Sequence, residues 1–179
     1  MEVSVTFGKW LKYLFFLQLA HLALFPLGVF TQTSAIAVVA GWVISAGTVC
    51  ILLQLAPAGA HYRKAGIFRG VELACTLITR ILFASTLLSA VGPICGLIAA
   101  YQEYNAHSDV LTEKDPELAK KWGRLFVWIV VSNVLAVPIT FLTLLPEIGA
   151  MMLAVVGILG AVLNVLYLVY LHRMRKLFE

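Results

Sequence analysis

Four polar residues lie along one face of an otherwise apolar segment: Arg69, Glu72, Thr76 and Arg80. Their spacing of i, i+3, i+7 and i+11 places them on one side of an α-helix. Arg69 can pair with Glu72, whereas Glu72 and Arg80 are about 12 Å apart along the axis, too far for a direct contact. Ionisable groups inside membranes are costly and usually serve a function. We therefore predict that Arg80, Glu72 and Thr76 line a path for a small solute or ion.

Arg80 also has a structural interpretation. We place it about 14 residues into the third apolar run, about 21 Å along a helix, where an arginine costs about 2.5–3.5 kcal/mol on insertion scales. Its side chain could instead extend to the outer surface toward Glu147, with Glu72 neutralised by Arg69 near the inner surface. The residues alone leave both interpretations open.

Further polar residues interrupt the other apolar runs. His21 and Asn133 are the secondary members of the predicted path. Gln18, Gln54, Ser132 and Asn164 extend the set. The alternative for each of them, taken singly, is a hydrogen bond between packed helices.

Three histidines follow apolar runs at the same predicted end of the molecule: His61, His107 and His172. Glu103 and His107 are four residues apart and share a helix face, which is half of a metal site. If the three hairpins pack symmetrically, these residues could converge on a metal. The simpler interpretation is that a histidine near a helix C-terminus interacts favourably with the helix dipole. We predict no cofactor and no catalytic residue.

Six apolar runs must position these residues. Of the 179 residues, 61% are hydrophobic and 12% are charged, against about 25% charged in soluble domains. A membrane-spanning helix needs about 20 apolar residues. We predict a single all-α domain with six spans in three hairpins, at about 9–57, 65–108 and 121–172. The fourth span is predicted to begin at a turn at Gly92-Pro93 and to leave the membrane after Tyr101. A short interfacial helix is predicted to begin at Asp115-Pro116-Glu117 and to lead into the fifth span.

Basic residues predict the orientation of the spans. Every second break between apolar runs is basic, and Arg80 is the one Lys or Arg that does not follow this pattern. The positive-inside rule then predicts a multi-pass protein of the cell membrane with both termini in the cytoplasm. The net charge of +4 is therefore attributed to membrane lipid contacts and not to nucleic acid. Eight aromatic residues are predicted to form an interfacial belt: Trp10, Tyr13, Tyr62, Tyr101, Tyr104, Trp122, Tyr167 and Tyr170.

The first and third hairpins are predicted to form a parallel repeat. A shift of 112 residues aligns rare residue types at both ends of the hairpins. The aligned pairs are Lys9-Trp10 with Lys121-Trp122, Pro26 with Pro138, and Arg63-Lys64 with Arg175-Lys176. A shared hydrophobic pattern with basic flanks is the alternative explanation.

Several short motifs support a resemblance. The chain resembles small six-span proteins of unknown function from clostridial-type bacteria. The resemblance lies in the Lys9-Trp10 entry, the mid-span Pro26, residues 103–107 (EYNAH) and residues 118–122 (LAKKW). The hairpin plan is similar to that of acid-resistance proteins of the HdeD type, although their glycine-rich repeats are not matched. The resemblance implies a bacterial inner membrane and brings no activity with it.

We expect a non-enzymatic transport or channel protein. The alternatives are an accessory or assembly subunit of a membrane complex and, third, a metal-dependent membrane enzyme. A water-filled cavity reaching Arg80 favours transport, whereas a dry bundle with an apolar groove favours the accessory role. The expected partners are lipid, a small solute or ion, and a second protein. Gly92, Gly96 and Ala100 have the spacing of close helix packing, either within the bundle or in a homo-oligomer.

Overall fold

The computed structural model describes residues 2–30, 35–81, 86–142 and 146–178, with side chains described within 6–24, 35–36, 38–81, 87–134 and 155–178. The described residues form six α-helices and no strand, as predicted for the all-α class. The helices are α1 (Glu2–Phe30), α2 (Ala35–Gln54), α3 (Ala60–Ile81), α4 (Thr86–Leu111), α5 (Pro116–Leu142) and α6 (Pro146–Phe178). A single 3₁₀ turn at Ala56–Ala58 precedes α3.

The six helices pack in a ring. Each helix contacts the next one along the chain, and α6 contacts α1. Because the connections are short, neighbouring helices run antiparallel. Six cylinders arranged in a ring leave a central space about as wide as one helix, which is roughly 10 Å. Side chains must fill that space or line a cavity within it.

One end of the ring carries the four basic segments of the sequence, which are residues 9–12, 61–64, 114–124 and 172–176. Phe7 of α1 packs at this end against Tyr62 of α3 and Phe178 of α6, with ring centroids 6.0 and 4.8 Å apart. The Lys114 ammonium lies 3.8 Å from the centroid of the Phe178 ring, so the connection between α4 and α5 lies at the same end. We call this the basic end.

The outer surface of the ring is apolar. Large hydrophobic side chains are exposed on every helix, among them Phe16, Val43, Ile67, Val127 and Val155. Among the described residues, one segment, Val155–Phe178, is long and apolar enough to cross a membrane, with a mean hydropathy of 2.0. Only 22% of the residues in its most apolar stretch are buried. The apolar segment Val38–Gln54 is shorter.

The turn of the second hairpin differs from the prediction. Helix α3 ends at Ile81 and α4 begins at Thr86, and Pro93 lies inside α4. The predicted turn at Gly92-Pro93 was wrong. Hydropathy does not mark the boundary here, because apolar residues continue on both sides of it. A Cβ on Gly92 would lie 3.5 Å from the Cβ of Cys75, so this part of α4 packs directly along α3.

This boundary also changes the position of Arg80. Arg80 lies in the last turn of α3 and is exposed, so it is not in the middle of a helix. Its depth in a membrane stays a prediction. Its proposed partner Glu147 has a side chain outside the described part of the chain, as do Pro26 and Pro138 of the repeat. The repeat stays a prediction.

The start of α5 was predicted correctly, but its extent was not. The Leu118 N–H donates a 2.9 Å hydrogen bond to the Asp115 carboxylate, which caps the helix as the Asp-Pro-Glu sequence predicts. The helix then continues without a break from Pro116 to Leu142. There is no separate interfacial helix before the apolar run.

Candidate functional site: a central polar cavity

A cavity of about 300 Å³ lies in the middle of the ring, and all six helices contribute to its lining. Most of its lining residues carry a polar group, although the outer surface of the same helices is apolar. The polar and aromatic lining residues are Gln18, His21, Trp42, Ser45, Thr48, Arg69, Glu72, Thr76, Glu103, Tyr104, Asn164 and Tyr167. This volume is at the small end of the range typical of ligand-binding sites.

Helical periodicity explains why these residues share the cavity. On α3, Arg69, Glu72 and Thr76 are separated by three and four residues, which keeps them on one face. On α4, Glu103 and Tyr104 lie three and four residues after Ala100 and face the same space. Among the described lining residues, five of the six helices present polar side chains to the centre of the ring, and α5 contributes Ile129.

An arginine and two glutamates form the charged part of the cavity wall. Arg69 Nη1 donates a 2.9 Å hydrogen bond to Glu72 Oε2, and Nη2 lies 3.8 Å from Glu103 Oε2. The side chains of Arg69 and Glu72 are 32% and 31% exposed, whereas that of Glu103 is 2% exposed. Glu72 is thus the more accessible carboxylate, and Glu103 is enclosed by protein.

Three groups surround the Glu103 carboxylate. The residue lies two positions after Tyr101, beyond the predicted end of the fourth span. The Tyr167 hydroxyl donates a 2.5 Å hydrogen bond to Oε1, and His107 Nε2 lies 3.8 Å from the same oxygen. Burial by itself raises the pKa of Glu103. The interactions with His107, Arg69 and Tyr167 outweigh burial and lower the pKa of the carboxyl below its usual 4.5.

Beneath the cavity, toward the basic end, buried aromatic rings fill the bundle. Trp122 is fully buried and lies 4.5 Å from the His107 ring and 5.3 Å from the rings of Tyr104 and Tyr167. We call Tyr62, Tyr104, His107, Trp122 and Tyr167 the aromatic cluster. The prediction that Tyr62, Tyr104, Trp122 and Tyr167 belong to an interfacial belt was wrong, because these side chains are buried inside the bundle. Tyr13 and Tyr101 are exposed.

Tyr62 fixes the hydrogen bonding of His107. The Tyr62 hydroxyl and His107 Nδ1 are 2.8 Å apart. Burial, with the negative charges of Glu103 and Asp109, raises the pKa of Tyr62 well above 10.0, so the hydroxyl keeps its proton. When Tyr62 donates to Nδ1, the ring proton of His107 lies on Nε2, the nitrogen nearest Glu103.

Gly96 seats the Glu72 side chain against α4. A Cβ placed on Gly96 would collide with the Glu72 carboxylate, and one on Gly92 would touch Cys75. These glycines therefore serve the close packing of α3 and α4 within the bundle. No other side chain at residue 96 would leave Glu72 where it is.

The structure brings together some of the residues predicted for the path. Glu72, Thr76 and His21 line the cavity, and so do Gln18 and Asn164 of the extended polar set. Arg80 and Asn133 are not among the lining residues. Arg80 lies beyond Thr76 in the last turn of α3, and Asn133 is exposed and donates a 2.8 Å hydrogen bond to the Ile129 carbonyl of its own helix.

The histidines considered for a metal site lie apart. His61 Nδ1 is 2.5 Å from Gln102 Oε1 and its Nε2 is 3.6 Å from Asp109. His107 contacts Tyr62 and Glu103, while His172 packs on the Phe15 ring. Within the described part of the chain, no three metal-binding side chains come together.

Sequence reasoning missed three members of the cavity wall. Glu103 was considered only as a metal ligand, and Tyr104 and Tyr167 only as interfacial aromatics. The sequence did contain a signal for Glu103. It lies three residues after the small residue Ala100, so the two share a face of α4 and meet the same neighbouring helix. Nothing in the local sequence pairs it with Tyr167, which is 64 residues away.

Comparison with known proteins finds no matching family, no matching curated protein and no matching solved structure.

Proposed function

We propose that the protein is a small multi-pass membrane protein that transports or conducts a small solute through the centre of its six-helix ring. The observation that carries this proposal is the central cavity, which all six helices line and to which five of them present polar side chains among the described residues. A bundle that serves only as a scaffold would fill this space with apolar side chains, because unsatisfied buried polar groups are costly.

The distribution of apolar side chains supports a membrane setting. Exposed Val, Ile, Leu and Phe side chains occur on all six helices, while the charged wall of the cavity is inside. Soluble monomers rarely expose apolar patches larger than a few hundred Å². In lipid the same surface is well solvated, and the basic end would face the cytoplasm.

Three residues of the predicted path have two different roles in this proposal. Glu72 and Thr76 lie on the cavity wall and would contact the solute. Arg80 projects from the same face of α3 about one turn beyond Thr76, so it would act at the outer entrance and not in the cavity.

A blocking variant tests the proposal. Purified protein in liposomes should exchange labelled small solutes faster than liposomes without protein. Thr76→Trp should abolish this exchange, because Thr76 lines the cavity and its side chain has room to enlarge. Thr112→Trp, an exposed residue at the end of α4, is the matched control. Equal exchange by both variants would show that the cavity is not the route.

Cysteine labelling tests the membrane arrangement independently. After replacement of Cys50, Cys75 and Cys95, single cysteines are introduced at residues 34, 84 and 147, and in other variants at 58 and 108. The first group should react with an impermeant maleimide added outside intact cells, and the second group should not. Outside labelling at residue 108 would contradict the six-span arrangement.

A further inference from the structure

We propose that the cavity is a binding site for a small monovalent cation and that Glu72 is the group that holds it. This inference rests on the proposed function, since it assigns the class of the transported solute. Arg69 is the one cationic side chain among the described lining residues, and it faces two carboxylates, Glu72 and Glu103. With His21 neutral, the described lining residues carry a net formal charge of −1.

Three polar side chains of the wall donate hydrogen bonds to carbonyls of their own helices. Thr48 and Thr76 donate their hydroxyl protons to the Ile44 and Glu72 carbonyls, at 3.0 and 2.9 Å. The Asn164 amide donates at 2.9 Å to the Gly160 carbonyl. These three side chains keep their oxygen lone pairs for a ligand. Acceptor oxygens at these positions suit a ligand that donates hydrogen bonds or is itself a cation.

Glu103 is already satisfied, and this leaves Glu72 as the cation-binding carboxylate. Tyr167, His107 and Arg69 surround Glu103, whose side chain is almost fully buried. Within the described part of the chain, the Glu72 carboxylate accepts a hydrogen bond from Arg69 alone, and its side chain is 31% exposed on the cavity wall. Trp42 and Tyr104 add aromatic rings, whose faces attract cations.

The volume sets the size of the ligand. A cavity of about 300 Å³ has room for roughly ten water molecules at about 30 Å³ each. A hydrated alkali ion or an organic cation of on the order of ten non-hydrogen atoms or fewer fits this volume.

Tracer exchange tests whether the site selects for positive charge. Liposomes containing the protein, with equal unlabelled salt on both sides, are given labelled sodium, guanidinium, chloride or glycerol. We expect sodium or guanidinium to exchange at least about tenfold faster than chloride and glycerol, as a carboxylate-lined path selects by charge. Glu72→Gln should remove most of this exchange. Glu113→Gln, an exposed glutamate outside the cavity, should retain it. Faster exchange of chloride or glycerol would overturn the cation assignment and leave the transport proposal standing.

Binding to the purified protein separates the site from transport. Saturable binding of labelled sodium or guanidinium that Glu72→Gln abolishes, without exchange in liposomes, would support the cation site and contradict transport. Gly96→Ala should weaken binding although the charge of Glu72 is kept, because the added methyl group displaces the carboxylate. Gly41→Ala, where a Cβ meets nothing within 4 Å, should bind like the parent protein. Unchanged binding in both Glu72→Gln and Gly96→Ala would overturn the inference.

Discussion

The hydroxyl of Tyr167 on α6 donates a 2.5 Å hydrogen bond to the Oε1 atom of Glu103 on α4. The two side chains are almost completely buried, and both line the cavity. Glu103 also lies 3.8 Å from Arg69 Nη2 on α3, so one carboxylate links three helices of the ring. This link lies between the cavity and the aromatic cluster, and it holds the inner wall of the cavity together.

Loss of the Tyr167 hydroxyl should destabilise the bundle. Tyr167→Phe leaves Glu103 buried without its shortest donor, and hydrogen bonds to charged groups contribute about 1.5–3 kcal/mol. We expect a loss of that size in the free energy of unfolding in detergent. Tyr101→Phe, at a residue 48% exposed, is the control and should change little. The double variant Tyr167→Phe with Glu103→Gln should be less destabilised than the sum of its parts. Additive losses would mean that the two groups do not interact.

The stability contributed by Glu103 should depend on pH. Its pKa is lower in the folded protein than the usual 4.5, so the folded state binds its proton less readily than the unfolded chain does. The contribution is complete above about pH 4.5 and is lost as pH falls through the folded-state value. Glu103→Gln cannot titrate. Unfolding midpoints of the parent and the variant should therefore differ most near neutral pH and converge in acid. A constant difference across this range would contradict the assignment.

Arg69 and Arg80 provide a matched pair on one face of α3. Arg69→Leu removes the cation that faces Glu72 and Glu103, so we expect a substantial loss of stability. Because a third of the Arg69 side chain is exposed, the loss should stay below the about 3–5 kcal/mol of a fully buried pair. Arg80→Leu should leave the unfolding free energy within about 0.5 kcal/mol, since Arg80 is exposed. If Arg80 is instead an anchor paired with Glu147, Arg80→Leu will destabilise the protein and Glu147→Gln will reproduce the effect.

Two tryptophans of α5 test the aromatic cluster. Trp122 is fully buried, whereas Trp128 is 57% exposed on the outer surface. Trp122→Ala should cost about 3–5 kcal/mol, because it opens a large void among the packed rings. Trp128→Ala should cost much less. The comparison is made by thermal unfolding in detergent, and similar melting temperatures for the two variants would show that the cluster does not stabilise the basic end.

Local sequence was sufficient to predict the helical class and six apolar helices, but it also predicted a separate interfacial helix and misplaced the boundary between α3 and α4. Run length and composition act locally, so six apolar runs predict six helices whatever their packing. The cap at Asp115 is likewise local, since its carboxylate bonds an N–H three residues ahead. The start of α4 was mispredicted because the residues before and after it are apolar, whereas Gly92 and Pro93 lie within α4 where it packs on α3.

The packing of the helices, and not their sequences taken singly, determines which polar residues act together. Periodicity placed Arg69, Glu72, Thr76 and Arg80 on one face of a helix, but the cavity includes the first three and not the fourth. The angle of each helix within the ring put His21 inside and Asn133 outside, although the repeat had paired them. Glu103 and Tyr167 are 64 residues apart, and their hydrogen bond follows from the contact of helices across the ring. Helical spacing determines the face that a side chain occupies, and closure of the ring determines what that face meets.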